Sequence, residues 1–218
     1  MDFLNPVKCK QIYGAPIGGI GTGSIGRTFS GNFLRYQLVP GIYEHELVEP
    51  NFFTVCIRRK GYSVYQQALV TRKSSLNGFK YWDMKYPGEN ATYYALYPEA
   101  WTIYNLPYKN VTLTCHQVSP VLPNNYKDSS LPVGSFKWTV ENRTSEELEI
   151  SLMFTWQSGS ASSQFKLSDV YSEPFEHGNY GAHASGVCIK QKLNDMPLSY
   201  CIAAKKTVGF CLGFFLLW

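Results

Sequence analysis

The sequence is poor in the groups that usually announce chemistry. Of its 218 residues only four are histidine (His45, His116, His177 and His183), and only 17% are Asp, Glu, Lys or Arg. His-Glu-x-x-His, Gly-x-Ser-x-Gly, Gly-Lys-Ser/Thr and Val-Ala-Ile-Lys are all missing, which removes the motif grounds for a zincin, an α/β-hydrolase, a P-loop enzyme or a kinase. The six cysteines (Cys9, Cys56, Cys115, Cys188, Cys201 and Cys211) include no Cys-x-x-Cys pair, and no histidine stands at zinc-finger spacing. No apolar run reaches the roughly 20 residues of a membrane-spanning helix. The start, Met1-Asp2-Phe3-Leu4-Asn5-Pro6, lacks the basic segment and apolar stretch of a signal peptide. A non-secreted protein with reduced thiols is therefore expected, and the Asn-x-Thr triplets at Asn90, Asn110 and Asn142 read as chance matches. Basic residues are scattered, with net charge +4 and pI about 8.6. The densest cluster, Arg58-Arg59-Lys60, meets Gly61 and reads as a solvated strand end. Nucleic-acid binding needs a basic stripe and is not expected.

What is abundant is aromatic. Tyr (16) and Phe (13) help bring the aromatic share to 16%, within a hydrophobic share of 44%, and such side chains suit half-buried pleated surfaces. Period-2 alternation dominates. Phe136, Trp138 and Val140 alternate with Lys137, Thr139 and Glu141; after the polar stretch Asn142 to Glu147, Leu148, Ile150, Leu152, Phe154 and Trp156 share one face. The two runs predict a β-hairpin with one buried face. Further strands are predicted at Phe53 to Arg58, Ser63 to Val70, Ala100 to Tyr104, Val111 to Val118, Gly186 to Lys192 and Leu198 to Ala204. Gly, Pro and Asn punctuate the gaps, as at Gly61, Pro87-Gly88, Pro107 and Pro123-Asn124-Asn125. The pattern predicts an all-β, two-sheet antiparallel β-sandwich rather than βαβ units. Gln164 to Val170 is the one segment read as a helical turn or two, and Ser158 to Ser163 as a mobile loop.

The conspicuous motif is Gly18-Gly19-Ile20-Gly21-Thr22-Gly23-Ser24-Ile25-Gly26. Gly21, Gly23 and Gly26 satisfy Gly-x-Gly-x-x-Gly, with Glu44 about 20 residues on, but Arg27-Thr28-Phe29-Ser30-Gly31-Asn32 is a poor helix and a dinucleotide site needs one there. The glycines are read as tight turns and close backbone approach, or as a loop lining a cleft formed with another domain. Glu44-His45-Glu46 resembles a metal site only superficially, because neighbours on a strand point to opposite faces. His116 is placed on the outer face of a strand, and His177 and His183 in a glycine-rich loop. Glycoside hydrolysis needs two carboxylates held about 5 to 9.5 Å apart, and no pair among the sixteen is picked out by spacing. Trp138 and Trp156 share their faces with Phe, Val and Leu and are assigned to the core; Trp101 is the candidate for an exposed platform.

A resemblance extends this reading. Ile12-Tyr13-Gly14-Ala15-Pro16-Ile17-Gly18-Gly19-Ile20-Gly21, Arg35-Tyr36-Gln37-Leu38 and Pro40-Gly41-Ile42-Tyr43-Glu44-His45 look like the start of glycoside hydrolase family 116, the family of non-lysosomal glucosylceramidases. Phe53 to Arg59, Ala95 to Thr102, Asn110 to Cys115 and Asp128 to Gly134 continue it in order. The resemblance implies an N-terminal β-sandwich followed by an (α/α) barrel that holds a Glu nucleophile and an Asp acid/base. On that reading residues 1–205 are the N-terminal sandwich, incomplete at its C-terminus, and 206–218 form a divergent apolar tail, with the chain cut before the barrel. No catalytic, cofactor-binding or metal residue is carried over, and no cofactor is expected. Gly18, Gly19, Gly21, Gly23, Arg35 and Trp101 are the candidate cleft or domain-interface residues. The implied partners are the barrel and, in the whole enzyme, glucosylceramide, at the cytosolic side of endoplasmic reticulum or Golgi membranes through peripheral association. The alternatives are a stand-alone carbohydrate-binding sandwich module and an unproductive fragment.

Overall fold

The period-2 runs become strands. The computed structural model describes residues 14–38, 41–72, 77–107, 110–157, 166–179, 182–205 and 211–217; for Asn179, Ala182 and 211–217 it describes the backbone alone. The elements are β1 (Pro16–Ile17), β2 (Ser24–Arg27), β3 (Phe33–Gln37), β4 (Phe52–Arg59), β5 (Tyr62–Ala68), β6 (Ala91–Leu96), β7 (Glu99–Asn105), β8 (Val111–Val118), the one-turn helix α1 (Tyr126–Ser129), β9 (Val133–Asn142), β10 (Glu149–Thr155), β11 (Leu167–Asn179), β12 (Ala182–Leu193), β13 (Met196–Lys205) and β14 (Cys211–Leu217). An eight-stranded sheet runs β11-β12-β13-β14-β9-β8-β7-β6, a three-stranded sheet runs β10-β4-β5, and a small N-terminal sheet runs β1-β2-β3. Every strand pairing is antiparallel, so the sandwich architecture expected from the alternation is present.

The buried faces meet as the alternation requires. Phe53 of β4 lies 5.2 Å from Phe136 and 5.0 Å from Trp138 of β9, and stacks on Phe154 of β10 at 4.3 Å, centroid to centroid. Phe33 of β3 closes the end of this aromatic core at 5.4 Å from Trp156. Such edge-on and offset contacts add to the area term that dominates core stability. Two-residue turns fix register. Lys60 (φ 52°) and Gly61 (φ 81°) join β4 to β5, and Asn194 (φ 47°) and Asp195 (φ 65°) join β12 to β13, positive φ at both turn positions being the geometry that follows strand twist.

Four expectations are corrected. The predicted hairpin across Asn142 to Glu147 does not form: β9 pairs with β8 and β14, whereas β10 pairs with β4 in the opposite sheet. Both predicted apolar faces pack into the core, that of β10 only partly buried, but they face each other across it, with Phe136 and Phe154 at 6.2 Å. Alternation reports which side of a strand is buried, not which strand lies beside it. Residues Leu167 to Val170, expected in a helical turn, begin β11; Gln164, Phe165 and the Ser158 to Ser163 loop lie outside the described residues. His177 and His183 sit on β11 and β12, in register with Ala184 and Gly178. Cys188 and Cys201 form a disulfide rather than two thiols. They face each other across β12 and β13 with Cα atoms 4.3 Å apart, the close spacing of a non-hydrogen-bonded antiparallel pair.

The apolar end of the chain enters the sheet. Residues 211–217 form β14, paired on one side with β13 from Cys201↔Leu217 to Lys205↔Gly213 and on the other with β9.

Candidate functional site

The glycine-rich segment is the structural hinge of the N-terminal sheet. After β1 the chain turns through Gly18 to Gly23 and enters β2, which pairs with β3 in the register Ser24↔Gln37, Ile25↔Tyr36 and Gly26↔Arg35. Close approach explains most of these glycines. A Cβ on Gly19 would lie 2.6 Å from the Ser129 carbonyl oxygen, where the Ile20 N–H donates to that same oxygen at 2.7 Å. Gly23 combines φ 83° with direct contact against the Gln37 carbonyl, a position that excludes any L side chain. The motif leads into strand β2, so no helix N-terminus faces it and the dinucleotide pattern has no structural basis.

Behind this hinge lies a cleft of about 150 Å³, walled by Gly18, Gly19, Gly23 and Ser24, with Arg35 on one side and Tyr43 and Tyr97 at the rim. The Arg35 stem runs over Gly26, whose missing Cβ would sit 2.8 Å from Arg35 Cβ. Its guanidinium lies over the Tyr43 ring at 5.9 Å, and its Nε is buried without a hydrogen-bond partner. Ser119 ties the floor to the large sheet, accepting from the Gly18 N–H at 3.3 Å and donating to the Pro16 carbonyl at 3.1 Å. Tyr43 (51% exposed) and Tyr97 (53%), which both line the cleft, are exposed apolar side chains, as are Ile20 (45%) and Leu131 (48%) on the two segments that meet at Gly19.

Of the residues singled out from the sequence, Gly18, Gly19, Gly23 and Arg35 meet in this cleft. Gly21 occupies an exposed turn with open space around it. Trp101 lies elsewhere, half-buried on the outer face of β7. It stacks on His116 of β8 at 4.7 Å and 8° between planes, and His116 Nε2 lies 2.7 Å from Glu99 Oε2. His116 is thus on the outer strand face, as expected. One face of the Trp101 ring is thus covered by His116. Tyr43 and Tyr97 are not among the residues that the sequence singles out; their only cue is a place in turns rich in Gly or Pro.

A second arginine anchors the same sheet from inside. Arg27 of β2 is 1% exposed and donates from Nη1 to Thr102 Oγ1 (3.1 Å) and from Nη2 to the Tyr104 hydroxyl (3.0 Å), both on β7. Burial works against its charge, but Tyr104, Cys115 and Tyr93 together outweigh that effect and its pKa is raised. The Tyr104 hydroxyl in turn donates to the Leu69 carbonyl at 3.2 Å.

The cleft lining contains no carboxylate, and a groove of about 390 Å³ on the outer face of β4, β5 and β10 contains only Asp83, so neither cavity brings two carboxylates together. Glu99, Glu141, Glu146, Glu149, Asp169 and Glu173 are each paired with a basic side chain at the surface. Among the described residues no group of three His, Cys, Asp or Glu is placed to hold a metal ion, and no helix is long and apolar enough to cross a membrane. His45 stacks on Tyr43 at 5.8 Å. The geometry offers a cationic, glycine-walled cleft with two exposed tyrosines, on a sandwich six of whose described acids are paired with basic side chains at the surface.

Residues 14–215, from the hinge through most of β14, match the family model described as beta-glucosidase 2, glycosyl-hydrolase family 116 N-term. The chain belongs to glycoside hydrolase family 116. Within that family it is the N-terminal, non-catalytic region. The family 116 match contains every element of the N-terminal sheet and the whole Arg35 cleft.

Proposed function

We propose that this family 116 domain braces the (α/α) barrel of a β-glucosidase that cleaves glucosylceramide to glucose and ceramide, and that the hinge at Gly18 to Gly26 faces that barrel. The observation that carries the reading is the set of exposed apolar side chains at the cleft (Tyr43, Tyr97) and beside Gly19 (Ile20, Leu131), next to an arginine with no acidic partner among the described residues. Clustered exposed apolar side chains on a soluble fold mark an interaction surface, and Tyr and Arg are enriched where such surfaces are buried. The resemblance to non-lysosomal glucosylceramidases supports the substrate, a peripheral attachment to membranes, and a place on the cytosolic side of the endoplasmic reticulum or Golgi.

The test is β-glucosidase activity of the purified 218-residue chain on a fluorogenic β-glucoside and on glucosylceramide, beside a two-domain family member. The expected result is no turnover by the folded chain. Turnover abolished by a single carboxylate substitution would overturn the bracing role.

A further inference from the structure

We infer that the Arg35 cleft is the receptor for one carboxylate, the side chain of an Asp or Glu carried by the barrel domain that docks over Tyr43 and Tyr97. The inference rests on the docking reading above and adds the chemistry of its central contact.

Arg35 is a guanidinium held ready for an acid it does not have. It makes no ion pair among the described residues, the cleft it lines contains no carboxylate, and its Nε–H is already removed from water with no acceptor. A buried N–H without an acceptor is costly, and satisfying it is correspondingly favourable. The side chain is also pre-positioned. Its stem occupies the volume left free at Gly26 and its head lies over Tyr43, so less rotamer freedom is lost when a partner arrives.

Charge decides the class of ligand. Once Tyr43 and Tyr97 are covered, water leaves the cleft and the guanidinium loses its remaining hydration. A buried cation is tolerated when an anion with matching hydrogen-bond geometry pairs with it. A neutral sugar hydroxyl would accept the N–H but leave the charge uncompensated, whereas a carboxylate accepts from Nε and Nη together. Gly18, Gly19 and Gly23 remove the side chains that would block an approach over the hinge.

Two measurements test this. In the first, the Arg35 Nε–H and the Ser24 amide of the 218-residue chain are followed by NMR during titration with sodium acetate. Sodium chloride at matched ionic strength and methyl β-glucoside serve as separate arms. Acetate is expected to shift both signals saturably, the other arms to shift neither, and Arg35→Gln to lose the Ser24 response. No saturation with acetate, an unchanged Ser24 response in Arg35→Gln, or an equal response to the glucoside overturns the inference.

In the second, hydrogen exchange of residues 18–26 is read in a two-domain β-glucosidase carrying this N-terminal region. Arg35→Gln is expected to speed exchange roughly 30-fold or more, the effect of removing one partner of a buried charge pair. If Ile20→Asp opens the interface while Arg35→Gln leaves exchange unchanged, the carboxylate inference falls and the docking reading stands. If neither variant alters exchange, the docking reading fails and the inference with it.

Discussion

Gly26 and Arg35 are cross-strand partners, and Arg35 occupies the space that a side chain on Gly26 would need. A Cβ on Gly26 would lie 2.8 Å from Arg35 Cβ and 3.4 Å from Cγ. The first of these atoms is fixed to the β3 backbone, so it cannot swing aside. Gly26→Ala is therefore expected to destabilise the chain by about 1–3 kcal/mol, the usual cost of overpacking, and to displace the guanidinium from Tyr43. Urea denaturation measures the first effect and the Arg35 Nε–H chemical shift the second. A variant with unchanged midpoint and unchanged shift would mean that β2 and β3 separate more easily than their register indicates.

Arg27 makes the complementary connection inside the fold. One side chain bridges the N-terminal sheet to Thr102 and Tyr104 of the large sheet, with its guanidinium 5.8 Å from the Phe53 ring centroid. Arg27→Ala removes two hydrogen bonds and opens a void, and a loss of about 3–5 kcal/mol is expected. Arg27→Lys should recover only part of this, since an ammonium lacks the planar fork that reaches both hydroxyls. Equal stability of the Lys variant and the parent chain in urea would show that charge, not geometry, is what the core requires.

Strands of the sandwich are legible where they carry a period-2 pattern: Phe53 to Arg58, Val111 to Val118 and Leu198 to Ala204 all lie within strands. Partner choice is not legible. Phe136 and Phe154 both read as inward, and only the long-range arrangement of β4 and β14 puts them in opposite sheets. The N-terminal sheet escapes the pattern because its strands are two to five residues long, too short for a period to register. At the candidate site, the glycines point to close approach and Arg35 stands beside them. Tyr97 comes from the β6–β7 turn, about 75 residues away in sequence, and no local signal connects it to the hinge.

Buried tyrosines give the fold a defined alkaline limit. Burial raises the hydroxyl pKa of Tyr36, Tyr86, Tyr93 and Tyr104 above the usual 10.0, and that of Tyr65 to about 12. In the unfolded chain these groups ionise near 10, before their folded counterparts, so the unfolded state binds fewer protons there. Stability from this source is complete below pH 10 and is lost as pH rises through the folded values. The urea midpoint should be level up to about pH 9 and fall steeply above 10, in step with late tyrosinate absorbance. A midpoint independent of pH between about 9 and 12 would contradict the burial of these hydroxyls.

The four described cysteines divide into three environments that one chemical experiment separates. Cys188 and Cys201 are bonded across β12 and β13 with a sequence separation of 13, and closing a loop of that size is worth about 3 kcal/mol in the chain-entropy account. Cys115 is fully buried, and burial pushes its thiol up to about 11, so it remains neutral and shielded at ordinary pH. Cys56, half-buried on the outer face of β4, is the accessible thiol of the two free ones described. Alkylation of the native chain at about pH 8 should modify Cys56 and spare Cys115. Mild reduction should then expose Cys188 and Cys201 and lower the urea midpoint by the loop-closure amount. Peptide mass mapping identifies the modified residues, and urea denaturation gives the shift. Modification of Cys115 before unfolding would mean that the two sheets part locally at β8, and an unchanged midpoint on reduction would mean that the β12–β13 register holds without the covalent link.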